Sequence, residues 1–195
     1  AVMAELERDM DGRIRFHRFR YHLARGFVEP KDKVLDLGCG TAYGTDILSE
    51  TAKKVIGVDF EQSNINCAVE KHKQANNEFV LADLEKWTIP DCDVAVQFEN
   101  LEHLYKPKKF VARLKKKVRK FIVASVPLGQ EIVMVNGDPQ EKGDSTHHSA
   151  FATPEAFKEL FIDKNWKEFW SFRDGVTFIA IFYNIHAIPE NSRPN

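Results

Sequence analysis

The sequence predicts an α/β fold: a doubly wound, mostly parallel sheet of seven strands, closed at the end of the chain by an antiparallel hairpin. Three observations carry that prediction. Short apolar runs alternate with helix-patterned segments from Lys33 to Val126, a glycine-rich turn follows the first run, and Asp174-Gly175 separates the last two runs.

Taken in order, residues 1–30 are expected to form an N-terminal helical cap, helical from about Arg13 and ended by Pro30, which disfavours helix in the residue before it. KVLDL is the first strand, and a helix from Tyr43 to Glu50 follows it. VIGVDF is the second strand, Gln62 to Gln74 the second helix, and EFVLAD the third strand. DCDVAVQF, a helix from Pro107 through Val118 and the strand KFIVASV continue the alternation. Right-handed crossovers place such helices over the strands they join, so both faces of the sheet are covered.

Pro127 to Ser149 breaks the pattern with Gly129, Gly137, Pro139 and Gly143, and is expected to be a lid-like loop over 127–149. Thr153 then caps a helix running to Asp163, with Pro154 at its first position. The runs KEFWSFR and VTFIAIFYNI form the terminal hairpin, which sets the chain apart from an ordinary nicotinamide-binding domain.

At 195 residues the chain suits one domain, expected over 31–188 behind the helical cap. Apolar residues at 43% fill a sizeable core, and charged residues at 29% suit a wet surface. The net charge of -1 gives no whole-protein case for nucleic acid or an anionic membrane. Lys106 to Lys120 carries nine basic residues and no acidic one, but Phe110, Val111, Leu114 and Val118 interleave with them, as on the wet face of a core-packed helix. Cys39, Cys67 and Cys92 show no metal-ligand spacing and point to a reducing, cytoplasmic setting. The longest apolar stretch, from Val176, is too short and interrupted to cross a bilayer, and no apolar signal segment opens the sequence.

The chemistry is written in VLDLGCGTAYGT, Val34 to Thr45. Asp36 ends a buried strand, and Gly38 and Gly40 permit a sharp turn with close approach of the backbone to a ligand. About twenty residues on, Asp59 ends the second strand, where a carboxylate accepts both hydroxyl protons of a ribose. A carboxylate at this turn repels the pyrophosphate of a dinucleotide and favours an ammonium-bearing nucleoside. Tyr43 stands where the dinucleotide fingerprint has its third glycine.

From about Lys31 to Ile185 the chain resembles the class I S-adenosylmethionine-dependent methyltransferases, with Ala42 where their first motif often has another glycine. The resemblance implies a Rossmann-like sheet of order 3-2-1-4-5-7-6, S-adenosylmethionine as cofactor and S-adenosylhomocysteine as product. It places the cofactor on the turn of Gly38, Cys39, Gly40 and Tyr43. Asp59 is expected on the ribose with Phe60 beside the adenine, Asp83 on the adenine amino group with Leu84 behind the ring, and Phe98 and Glu99 along the methionine end. Asp83 has a second reading as the cap of a short turn.

The acceptor is encoded more weakly, because methyl transfer is chiefly a matter of holding two atoms in line. His103, after the fourth strand, is the candidate general base, the alternative being a structural histidine at a helix start. A small-molecule acceptor methylated on oxygen or nitrogen is the first expectation, with no metal. Glu99-x-x-Glu102-His103 with His147-His148 is similar to the metal-assisted pattern of small-RNA terminal 2′-O-methyltransferases, which gives the alternative; a non-catalytic cofactor-binding module is another. His148 and Phe151 are expected near the acceptor, and Phe16, Phe19 and Tyr21 as core contacts of the N-terminal helix.

Overall fold

A computed structural model describes residues 11–129, 132–135, 138–141 and 146–189, with side chains from His17 onward apart from 132–137, 140–141 and 174. The start of the predicted helical cap, the side chain of Phe16, and Gly137 and Gly143 of the predicted lid lie outside the described residues and side chains. Helix α1 spans Asp11–Arg25. β1 (Lys33–Leu37), α2 (Tyr43–Ser49), β2 (Lys54–Asp59), α3 (Gln62–His72), β3 (Asn77–Leu81) and β4 (Cys92–Phe98) follow. After a 3₁₀ turn at Leu101–His103 come α4 (Pro107–Leu114), β5 (Val118–Pro127), β6 (Ile132–Val135), β7 (Asp138–Glu141), α5 (Pro154–Lys158), β8 (Trp166–Asp174) and β9 (Thr177–Asn184).

Seven strands make one sheet in the order β3-β2-β1-β4-β5-β9-β8. β3, β2, β1, β4 and β5 pair in parallel, and β9 lies antiparallel between β5 and β8. Numbered within this sheet alone, the order is 3-2-1-4-5-7-6, as the resemblance implied. Every residue of β4 is buried, the pattern of a central strand covered on both faces. One face carries Phe110, Val111 and Leu114 of α4 with Phe157 of α5 and Phe161 just beyond it; the other carries Tyr21 and Ala24 of α1 with Ile47 and Leu48 of α2.

The structure departs from the expected elements at three places. The lid is not wholly loop: Ile132–Val135 and Asp138–Glu141 pair as a small antiparallel ribbon, in register Val133 to Gln140. α4 ends at Leu114, because Lys115–Lys117 must turn for Val118 to open β5 beside Cys92. α5 holds five residues rather than a helix to Asp163, whose carboxylate instead accepts the backbone N–H groups of Asn165 and Trp166 and starts β8. Among the described residues no helix is long and apolar enough to cross a membrane.

Because β1, β2 and β4 are parallel, their carboxyl ends meet at one edge of the sheet, where doubly wound folds bind ligands. Asp36, Asp59 and Phe98 are all delivered there.

Candidate functional site

The turn after β1 is shaped by its backbone. Gly38 has φ +76, and a Cβ there would collide with the Asn100 side chain, so only glycine fits. Ala42, where the family often has glycine, adopts φ 74 and is fully buried, a left-handed conformation that alanine holds under strain. Glu99 at the end of β4 is the other described non-glycine residue with positive φ, at 47. Strain of this kind gathers at functional sites.

Asp59 ties the turn to β2. Its Oδ2 accepts the Gly40 N–H at 2.9 Å, and its Oδ1 accepts the Glu61 N–H at 2.9 Å and the Asn64 amide at 3.1 Å. A cavity of about 540 Å³ opens over it, lined by Gly38, Asp59, Phe60, Ala82, Asp83 and Leu84, then by Asn100, His103, Tyr105, Thr146 and His148. Five of the predicted cofactor residues, Gly38, Asp59, Phe60, Asp83 and Leu84, therefore meet in one cleft with His103. Phe60 is 67% exposed, an aromatic face left uncovered at the mouth. The Asp83 carboxylate accepts the Glu85 N–H, the turn cap that the sequence also allowed, and pairs with Lys86 at 2.9 Å.

Asp36 sits differently from its expected place. Rather than standing at the mouth of the turn, it is fully buried beneath it, with Oδ1 accepting the Tyr21 hydroxyl at 3.1 Å and Oδ2 the Thr45 hydroxyl at 2.7 Å. Burial pushes its carboxyl up to about 6, against the lowering effect of those two hydrogen bonds. The physical reason is that α1 packs Tyr21 across the turn, against Gly44, Tyr43 and Phe98. Tyr43 and Phe98 pack edge-on against Tyr21 and Glu99 accepts from Arg20, so these three lie on the α1-covered side and not in the open cleft. Cys39, buried beside Gly57, is not on the cleft lining either, and Gly40 is tied to the cleft through its bond to Asp59. Burial raises the Cys39 thiol far above its ordinary range and the Tyr43 hydroxyl to about 12, so neither ionises near neutrality.

Two residues of this side escaped the sequence reading. Arg20 is 2% exposed and donates Nη1 to Glu99 Oε1 at 2.9 Å and to the Ser125 hydroxyl at 2.6 Å, with its guanidinium 5.8 Å from the centre of the Phe98 ring. Tyr21 was read only as a core aromatic, yet its hydroxyl holds Asp36. A basic residue followed by tyrosine on a helix before the glycine turn is the only signal, and it is a faint one. Phe19, read as a core contact, is 48% exposed, while Phe151 is buried against Phe157.

The chain after the lid closes the other side. His148 and Ser149 donate their N–H groups to the Glu102 carbonyl at 2.8 and 2.9 Å, and the Ser149 hydroxyl donates to the Leu104 carbonyl at 2.7 Å. His148 stacks on Tyr105 with ring centres 3.9 Å apart, and its Nδ1 donates to the Pro139 carbonyl. His103 Nδ1 lies 2.9 Å from the Thr146 carbonyl, an acceptor only, so this nitrogen carries the proton and Nε2 is the basic one in the neutral ring. Glu102, His103 and His147 bring one ligand atom each within 4.8 Å of one another. Glu99 and His148, the other members of the sequence pattern, are engaged elsewhere, by Arg20 with Ser125 and by Tyr105.

Known proteins are similar to this chain in sequence over part of its length and in fold over most of it. A family model described as a methyltransferase domain matches residues 35–120. A Mycobacterium tuberculosis protein named a probable S-adenosylmethionine-dependent methyltransferase is 35% identical over 80 residues, 40% of this chain and 28% of its own. Malonyl-[acyl-carrier protein] O-methyltransferase of Serratia marcescens is 30% identical over 98 residues, 50% of this chain and 34% of its own. The matched segment thus spans about a third of the length of these curated relatives. Among solved structures, the complex of DhpI with S-adenosylhomocysteine covers 93% of this chain and 88% of its own at 20% identity, with a TM-score of 0.68. An S-adenosylmethionine dependent methyltransferase from Mesorhizobium loti covers 81% and 93% at 14% identity, with a TM-score of 0.66. At such identities the structures speak for the fold alone. Residues 35–120 match a methyltransferase-domain model and resemble the matched parts of these curated methyltransferases, and the fold is the one seen in solved S-adenosylmethionine-dependent methyltransferases.

Proposed function

We propose that the protein binds S-adenosylmethionine in the cleft over Asp59 and transfers its methyl group to oxygen or nitrogen of a small-molecule acceptor. One observation carries the reading: a single cleft joins a strand-end carboxylate suited to a ribose with a histidine whose basic nitrogen is set by its neighbour. The glycine turn fits the cofactor, since Gly38 lines the cleft with φ +76 and packs so closely on Asn100 that no side chain can stand between its backbone and the ligand.

In this reading Asp59 accepts the ribose hydroxyls, Phe60 and Leu84 flank the adenine, and Asp83 accepts from the adenine amino group. Glu99 and the Arg20 it holds face the amino acid end, with Asp36 supporting the turn from below. When bound, the cofactor supplies an activated methyl group and departs as the neutral thioether. His103 takes the acceptor proton on Nε2, while Thr146 keeps its ring in the required tautomer. His103→Ala is expected to lower turnover at least tenfold, read by S-adenosylhomocysteine release over a panel of hydroxyl and amine acceptors. An unchanged rate with a confirmed acceptor disposes of the role.

A second reading is favoured by Glu102, His103 and His147. Two imidazoles and a carboxylate suit a divalent ion such as zinc or manganese, which would acidify a ribose hydroxyl in metal-assisted RNA 2′-O-methylation. Elemental analysis decides between the two: one equivalent of metal retained by the wild type and lost in His147→Ala supports this reading, and metal-free protein that is active in chelator removes it.

A further inference from the structure

The basic run Lys106 to Lys120 is treated differently at its two ends. At the far end Lys115, Lys117, Arg119 and Lys120 pair with Asp163, Asp91, Asp93 and Asp32, and Lys116 alone has no carboxylate within salt-bridge distance among the described residues. At the near end Lys106, Lys108 and Lys109 have no carboxylate within salt-bridge distance among the described residues. The positive charge the fold leaves uncompensated is therefore concentrated where α4 begins.

Lys106 and Lys109 line a second cavity of about 270 Å³, with Lys86, Glu85, Phe110 and Arg113. It adjoins the main cleft and shares Glu85 and Lys86 with it. Its floor is fixed. Arg113 donates to the carbonyls of Glu85 and Leu84 at 2.6 Å and of Trp87 at 3.2 Å, while Glu85 Oε1 accepts the Lys106 N–H at 2.7 Å. Above that floor the lysine ammoniums remain on exposed stems; Lys86 is 86% exposed. Lys86 is paired with Asp83 and Arg113 is turned to the backbone, so Lys106 and Lys109 are the lining cations left without a carboxylate. With the cationic lining around a single Glu85 they favour an anion there, although the whole chain has a net charge of -1. Compact ammoniums on flexible stems suit a phosphate, whose several oxygens accept from more than one of them.

We propose that this groove binds a phosphate group of the methyl acceptor, so that the acceptor is a phosphate-bearing small molecule with its nucleophile at His103 and its anionic end between Lys106 and Lys109. The assignment of the acceptor class rests on the reading of the adjoining cleft as the methyl-transfer site; the anion site itself does not.

Calorimetry at low ionic strength, with inorganic pyrophosphate titrated into protein saturated with S-adenosylhomocysteine, tests it. The wild type is expected to bind saturably with one-to-one stoichiometry. The double variant K106Q/K109Q should weaken that binding at least tenfold, whereas K108Q/K116Q, which removes the same charge from the same run outside the groove, should stay within twofold. S-adenosylhomocysteine affinity should be unchanged in both. Folded protein that binds S-adenosylhomocysteine but shows no saturable pyrophosphate binding overturns the site, as does equal weakening in the two double variants. Pyrophosphate binding as described in protein that binds no S-adenosylhomocysteine overturns the acceptor class and points to a failure of the methyl-transfer reading instead.

Discussion

Asp59→Ala is expected to weaken S-adenosylhomocysteine binding by roughly 100-fold or more, the largest binding loss of any single substitution in the cleft. A carboxylate accepting two ribose hydroxyls makes two charge-assisted hydrogen bonds, each contributing about 1.5 to 3 kcal/mol. The same carboxylate holds the Gly40 and Glu61 N–H groups and the Asn64 amide, so alanine also loosens the turn on which the ligand rests. Asp59→Asn separates the two effects. It keeps an acceptor for the Gly40 N–H while losing charge, and is expected to fall between alanine and wild type. Equal affinity in Asp59→Ala and wild type, by calorimetry on folded protein, contradicts the assignment.

The second large effect is on stability and lies at Asp36. Its folded carboxyl is pushed up to about 6 from an ordinary 3.8, with burial the leading cause. The folded state therefore keeps its proton to higher pH than the unfolded chain does. The stability this proton supports is fully present below about pH 4 and is lost as pH rises through 6, about 3 kcal/mol in all at 1.36 kcal/mol per pH unit. Asp83, Asp163 and Glu29 are lowered by their lysine partners and act with the opposite sign, so the whole-protein profile mixes both. The difference between Asp36→Asn and wild type isolates the term. Urea unfolding at pH 4, 5, 6 and 7 should show the variant gaining about 3 kcal/mol on wild type across that range; a difference that stays flat with pH contradicts the account.

How far the sequence disclosed this depends on the range of the interactions concerned. The sheet and its order were legible because each strand is a short apolar run with its own boundaries, and because Asp174-Gly175 marks the closing hairpin locally; Gly175 takes φ +55 at the bend. That Asp59, Asp83 and Leu84 meet in one cleft was legible because a strand end fixes where its next residues go. Arg20 was not. Its partners Glu99 and Ser125 lie 79 and 105 residues away, and nothing local distinguishes it from the other arginines of the same helix. The displacement of Asp36 from mouth to interior has the same origin, since it follows from where α1 lays Tyr21. The ribbon within the lid was hidden by Gly137 and Pro139, which read as loop punctuation although Pro139 stands opposite Met134 in a two-stranded edge that needs no donor from it. The lysine run shows the limit from the other side: its alternation with Phe110, Val111 and Leu114 correctly announced a core-packed helix, but which lysines find carboxylates depends on acids elsewhere in the chain.

The arrangement as a whole amounts to a parallel sheet whose carboxyl edge is covered unequally. α1 covers the Asp36 side with buried polar contacts, while the Asp59 side opens as a cleft toward His103. That asymmetry is what a nucleoside with a charged amino acid tail requires, one half flat and partly exposed, the other enclosed among opposed charges. The most direct test is a calorimetric titration of the folded wild-type chain with S-adenosylmethionine and, separately, with S-adenosylhomocysteine. Saturable one-to-one binding of both, weakened by roughly 100-fold or more in Asp59→Ala, is the predicted result; the absence of heat from either ligand at millimolar concentration contradicts the central claim.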